Sequence, residues 1–196
     1  VADILTGEGI TVLTGQSAVA ASQDADGNKI LTIEDENGNK TDVTGSHLLV
    51  AVGRIPNTDK LNLEFVGVET DERGHVNVDE HLKAADGIWV MGDANGHGAF
   101  THTSYQDYEI IWDNYQGGDR KVTDRIMAYA LYIDPPLGRV GMSEQQARES
   151  GKNVLMATKP MSHIGRALEQ SETQGMIKLL VDADTEQFLG AAVLGF

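Results

Sequence analysis

Apolar and polar positions along this chain fall into two rhythms. Stretches of period two at Ser17–Ser22, Lys29–Asp35 and Lys40–Val43 are separated by Asp24-Ala25-Asp26-Gly27-Asn28 and Glu36-Asn37-Gly38-Asn39. Asp, Asn and Gly tolerate positive φ, so these clusters predict turns and the stretches an antiparallel meander of hairpins. Ile10–Leu13 reads as a short buried strand, and Leu48–Val52 as a strand buried on both faces. Val1–Glu8 has the look of a helix end stopped by Gly9, with no residue to cap its start.

A period of three and four takes over further along. Residues 54–83 are rich in loop formers, with Glu72-Arg73-Gly74 turning into a short strand His75–Val78, and Gly87–Met91 is the next strand. Tyr105, Tyr108, Ile111, Trp112 and Tyr115 then recur at helical spacing, which predicts a helix over Thr101–Tyr115 with this stripe packed in the core. Gly117-Gly118-Asp119-Arg120 reads as a linker and marks a domain boundary near residue 120. Beyond it, strands Ala128–Ile133 and Arg139–Met142 flank Asp134-Pro135-Pro136, and a helix over Ser143–Ser150 is capped by Ser143 and stopped by Gly151. Val154–Thr158, Met176–Val181 and Phe188–Leu194 complete an antiparallel sheet, with Asp182–Glu186 as a turn and Leu194-Gly195-Phe196 as an uncovered strand edge.

Composition removes several functions. The 196 residues are 40% apolar and 23% charged, with no apolar run long enough to cross a bilayer, so no membrane partner is expected. A formal charge of −15 opposes a phosphate polymer and no basic stripe offsets it, which argues against nucleic acid. Cysteine is absent, so redox chemistry has to use a cofactor or thiols outside these residues. The first residues lack the pattern of a secretory signal, and the expected location is cytoplasmic.

Candidate chemistry gathers at two strand ends. The strand Gly87–Met91 runs into Gly92-Asp93 and aims one carboxylate off its carboxyl end, where open α/β sheets bind ligands and where a polyol hydroxyl could be held. A plain Gly-Asp turn is the alternative. Ala51, Val52, Gly53 and Arg54 end the other apolar strand where a dinucleotide could pass, although Arg54 could equally pair with a local acid. Thr101 opens the long helix, either as an ordinary cap or with free N–H groups that could stabilise a reduced, electron-rich ring. His97 and His102 are poorly spaced for a shared metal, and no metal site is expected. No phosphate-cradling glycine loop accompanies these elbows, so the chain reads as part of a larger protein.

LLVAVGRIPNTDKLNLE followed by GIWVMGDANGHGAFTHTS resembles the paired motifs of the class I pyridine nucleotide-disulfide oxidoreductases. IDPPLGRVGMSEQQARESG and MSHIGRALEQSETQGMIKLLVDADTEQFLGAAVLG resemble the dimerisation domain of that family, and the similarity is nearest to its mercuric-reductase-like FAD-containing members. The resemblance implies partial FAD- and NAD(P)-binding, Rossmann-like α/β domains followed by an α+β dimerisation domain with an antiparallel sheet. It implies a C-terminal part of the NAD(P) domain over 1–52, of the FAD domain over 53–120, and a dimerisation domain over 121–196 lacking its last helices. Asp93, after Gly92, then corresponds to the aspartate that holds the FAD ribityl chain, Thr101 to the residue whose backbone nears the flavin, and Ala51 to Arg54 to the strand end along NAD(P)H. The family passes hydride from NAD(P)H to FAD and electrons on to a cysteine pair that reduces a small-molecule disulfide or a metal ion such as Hg(II).

By the same resemblance the glycine motifs and cysteine pair fall before Val1 and the catalytic His-Glu pair after Phe196, so no catalytic residue is expected in this chain. Met142 departs from the tyrosine that mercuric reductases tend to carry there. A C-terminal part of such an enzyme, forming a homodimer through 121–196 and inactive by itself, is the expectation. A dihydrolipoamide-dehydrogenase-like reductase and a non-enzymatic dimerisation module are the alternatives.

Overall fold

The computed structural model describes residues 1–195; Phe196, expected at a strand edge, lies outside them. The fold is mixed α/β with antiparallel sheets, and the chain divides into two units, Val1–Gly53 and Arg54–Phe196.

In the first unit, helix α1 (Ala2–Gly7) ends before Gly9, whose φ of 85° takes the chain out of the helix. Strands β1 (Gln16–Gln23), β2 (Lys29–Asp35) and β3 (Lys40–Gly45) form the expected meander in the order β1-β2-β3. The side chain of Asp24 closes the first turn by accepting the N–H groups of Asp26 at 3.0 Å and Asn28 at 2.9 Å, while Asn28 Nδ2 donates to its other oxygen at 2.9 Å. Asp35 repeats that pattern with Asn37 and Asn39 at 2.9 Å. These bonds favour the ionised form and hold both carboxyls below their usual range, the Asn28 and Asn39 side chains contributing most.

Two expectations for this unit are corrected. Ile10–Leu13 forms no strand, and neither does Leu48–Val52, whose Leu49 and Val52 are each 87% exposed. A strand buried on both faces needs ladder partners at its edges and helices on its faces. No described residue of this unit supplies them to either run.

The second unit opens with loops. The Asp turn recurs where Asp71 Oδ1 accepts the N–H groups of Arg73 and His75 at 2.8 Å, and again where Asp79 accepts those of His81 and Lys83 at 2.9 Å. That second turn cuts short the strand expected over His75–Val78, leaving one antiparallel bridge between Thr70 and Val76. A short hairpin follows, β4 (Lys83–Ala85), which the sequence pattern does not announce, and β5 (Ile88–Trp89), shorter than the expected Gly87–Met91. Helix α2 has the expected limits, Thr101–Tyr115. The Gly117–Arg120 stretch is pinned to its end, with Gly118 N–H donating to Asp113 O at 2.9 Å and Asn114 Nδ2 to Arg120 O at 2.6 Å.

The remaining strands are β6 (Ala128–Leu131), β7 (Leu137–Gly141), β8 (Val154–Pro160), β9 (Met176–Asp182) and β10 (Phe188–Leu194), an antiparallel sheet in the order β6-β7-β10-β9-β8. Helix α3 (Glu144–Glu149) starts as expected: Ser143 Oγ accepts from Gln146 N at 3.1 Å and Gln146 Oε1 from Ser143 N at 2.8 Å. A further helix, α4 (Gly165–Gln170), is too short and irregular to carry a period. Ala147 of α3, Ala167 of α4, Met161, Leu180 and Leu194 are buried around this sheet.

The β9–β10 turn is closed by Asp182, which accepts Lys152 Nζ at 3.0 Å, Asp184 N–H at 3.0 Å and Thr185 N–H at 3.3 Å. The Lys152 bond leads these contacts in holding the Asp182 carboxyl below its ordinary value of 3.8. A carboxyl lowered by folding adds stability that is complete above the unfolded value and fades as pH falls through the folded one. Urea unfolding of Asp182→Asn should therefore give a deficit that is constant above pH 3.8 and shrinks below it. A deficit that stays constant to the acid limit of folding would contradict this.

Candidate functional site

Strand β5 delivers the chain to Gly92, where it turns with φ of 73° into a 3-10 turn over Gly92–Asn95. The positive φ is what requires glycine here; a Cβ on Gly92 would also sit 2.9 Å from Ser104 Oγ of α2, so that hydroxyl would have to turn away. The Gly92 N–H donates to Asp107 Oδ2 at 2.8 Å, and Asn95 Nδ2 donates to the same oxygen at 2.9 Å and to Val90 O at 3.0 Å. Asn95 Oδ1 in turn accepts His97 N–H at 2.9 Å. The other oxygen of Asp107 is paired with Arg125 Nη2, and the two side chains are only 2% and 4% exposed. Asp93 points the other way: its side chain is 42% exposed and its carboxylate meets Arg54 Nη1 at 3.2 Å.

The start of α2 lies beside this elbow. Phe100 is the N-cap, and Thr103 secures it by donating to Phe100 O at 2.7 Å and accepting Phe100 N–H at 3.2 Å. Thr101 is therefore the first helical residue rather than the cap, the extended backbone of Phe100 marking where the helix begins. The first-turn N–H groups of Thr101 and His102 have no intrahelical acceptor and form the positive end of the helix. The Phe100 ring stacks on His102 at 5.3 Å and on Tyr129 of β6 at 5.8 Å, and His102 Nε2 lies 2.7 Å from Ala128 O.

The aromatic stripe of α2 faces outward, contrary to expectation. Tyr105, Tyr108, Trp112 and Tyr115 are exposed, Tyr115 by 69%, while Thr103, Asp107 and Ile110 are buried. Hydrophobic spacing identifies a stripe but not which stripe turns inward; here the charge on Asp107 has to meet Arg125, and that requirement orients the helix.

Of the candidate residues, the structure gathers Gly92, Asp93, Arg54 and the Thr101 helix start in one unit. Ala51, Val52 and Gly53 belong to the other unit and are exposed there. Sequence reasoning missed Asp107, Asn95 and Arg125. Asp107 shares the i, i+4 and i+7 stripe of Thr103 and Ile110, which carries a signal for its burial, whereas nothing local to Arg125 announces its partner.

Comparison with known proteins settles the family. The profile described as pyridine nucleotide-disulphide oxidoreductase matches residues 1–107, and that of the pyridine nucleotide-disulphide oxidoreductase dimerisation domain matches residues 127–196. The chain belongs to the pyridine nucleotide-disulphide oxidoreductase family. It is 43% identical over 150 residues to the probable pyridine nucleotide-disulfide oxidoreductase RclA of Escherichia coli strain K12, covering 75% of this chain and 34% of that protein. A dihydrolipoyl dehydrogenase of Thermus scotoductus is 33% identical over 189 residues, covering 96% of this chain and 41% of that protein. A mercuric reductase of Staphylococcus aureus is 32% identical over 192 residues, covering 97% and 35%. Among solved structures, the HOCl-induced flavoprotein disulfide reductase RclA from Escherichia coli superposes with a TM-score of 0.82 at 36% identity, over 99% of this chain and 44% of that one. The chain thus spans 34% to 41% of the length of these curated relatives.

The elbow fits one end of the FAD that this family implies. A half-exposed carboxylate can accept from a ribityl hydroxyl, and a helix start with unpaired N–H groups can face an electron-rich ring. Gly92→Ala should destabilise the protein by about 1–2 kcal/mol, the cost of a left-handed alanine, and Ser104→Ala in the same chain should recover part of it by opening space. Equal unfolding midpoints for Gly92→Ala and the unaltered protein would refute this reading of the elbow.

Proposed function

We propose that this chain supplies the ribityl-anchoring and dimer-forming part of an FAD- and NAD(P)H-dependent oxidoreductase that reduces a small-molecule disulfide or a metal ion such as Hg(II). The observation that carries the reading is the Gly92-Asp93 elbow held against the start of α2, within a segment matched by the family profile. In this reading Asp93 exchanges its exposed Arg54 partner for a ribityl hydroxyl, an exchange that costs little because surface ion pairs contribute about 0–1 kcal/mol. The helix start at Thr101 and His102 would lie beside the ring, where its free N–H groups would stabilise the negative charge of the reduced form. FAD supplies the acceptor for hydride from NAD(P)H and the donor toward a cysteine pair, which these residues do not contain.

The same reading makes β6-β7-β10-β9-β8 the dimer-forming sheet. Leu155 and Val193 stand exposed on the face of this sheet opposite buried Leu180 and Leu194, and a second copy of the protein would cover them. Disulfide and metal-ion acceptors are both in view because dihydrolipoyl dehydrogenases and mercuric reductases are similar to this chain to nearly the same degree.

Asp93→Ala, in the protein as expressed from its own gene, should raise the FAD dissociation constant about tenfold or more, the worth of one hydrogen bond to a charged group. Arg54→Ala should leave it unchanged or lower it. An unchanged constant in Asp93→Ala, or a protein that takes up no FAD, would overturn the proposal.

A further inference from the structure

We infer that Arg125 is a positioning residue for the flavin site: acting through Asp107, it fixes the direction in which the Asp93 carboxylate leaves the elbow. The inference rests on the reading of Asp93 as a ribityl anchor.

The argument begins with how Asp107 spends its hydrogen-bonding capacity. Both donors to Oδ2 come from the elbow, Gly92 N–H at 2.8 Å and Asn95 Nδ2 at 2.9 Å, and Asn95 also fixes His97 N–H on the way to α2. Neither bond serves the helix that carries Asp107. A carboxylate this deeply buried keeps its charge only beside a cation, and Arg125 is the cation it meets.

Arg125 contributes in a second way. Its Nη1 lies 3.5 Å from His97 O, so one guanidinium reaches both Asp107 and the loop between Asn95 and Phe100. Its buried Nε has no partner among the described residues. Its two paired nitrogens join Asp107, which grips the elbow from α2, to the loop that leads from the elbow to that helix. A planar guanidinium can span the two acceptors at a fixed separation, which the compact ammonium of lysine cannot.

Arg125 also comes from outside the elbow. It follows the 3-10 turn over Val122–Asp124 and leads into β6, so the entry to the five-stranded sheet is tied to the elbow by this one side chain. Any shift of that entry is felt at Gly92 through Asp107, and Asp93 is the next residue.

The test compares Arg125→Met, Arg125→Lys, Asp107→Asn and Asp93→Ala by two readouts: amide exchange at Gly92 without flavin, with Leu179 and Leu180 of β9 as the reference for global opening, and the FAD dissociation constant. Arg125→Met and Asp107→Asn should speed Gly92 exchange about tenfold beyond any change at β9 and weaken FAD by a similar factor, with Arg125→Lys in between. Asp93→Ala should weaken FAD while leaving Gly92 exchange alone. If Gly92 and the β9 amides accelerate together in both arginine variants, the pair is structural only and the inference fails. If Asp93→Ala weakens FAD and neither arginine variant does, the inference fails and the Asp93 reading stands. If no variant changes FAD affinity, the Asp93 reading fails and this inference with it.

Discussion

A buried carboxylate must be neutralised, and the second unit is arranged around how that happens to Asp107. Arg125 takes one of its oxygens and the backbone of the elbow takes the other. From this single requirement follow the outward turn of the aromatic stripe on α2, the close approach of Gly92 to Ser104 and the exposed position of Asp93. Replacing such a pair by apolar side chains is often neutral for stability in other proteins. What an apolar pair could not reproduce here is the grip on Gly92 N–H and Asn95, and these are the groups that shape the elbow.

Local chemistry was legible wherever it was local in cause. The Asp24 and Asp35 turns, the Ser143 capping box, the limits of α2 and the span of β10 all follow from residues within a few positions of each other. Ile10–Leu13 and Leu48–Val52 form no strands because burial on two faces is a property of neighbours, not of a run of apolar letters. Gly92 and Asp93 could be singled out from a strand ending in Gly-Asp. Asp107 and Arg125 could not be joined, since their pairing is made only by the packing of α2 against the segment that leads into β6.

The acidic excess also acquires a more specific meaning. A solvated, charge-rich surface is the simplest reading of −15, yet Asp24, Asp35, Asp71, Asp79 and Asp182 each use a carboxylate to accept backbone N–H groups two to four residues on. Acidic residues thus build turns as well as solubility. Asp107 and Asp93 stand apart from these turns, one buried and holding the elbow from within, the other half-exposed beside Arg54.

The central claim is that the elbow presents Asp93 to a flavin while Asp107 and Arg125 hold it in place. A crystal structure of the FAD complex, from the protein as expressed from its own gene, tests it most directly. The account predicts an Asp93 oxygen about 2.7 Å from a ribityl hydroxyl, Arg54 withdrawn, and Gly92 N–H still on Asp107. A flavin bound with Asp93 still paired to Arg54, or with the Asp107–Arg125 pair parted, would contradict it.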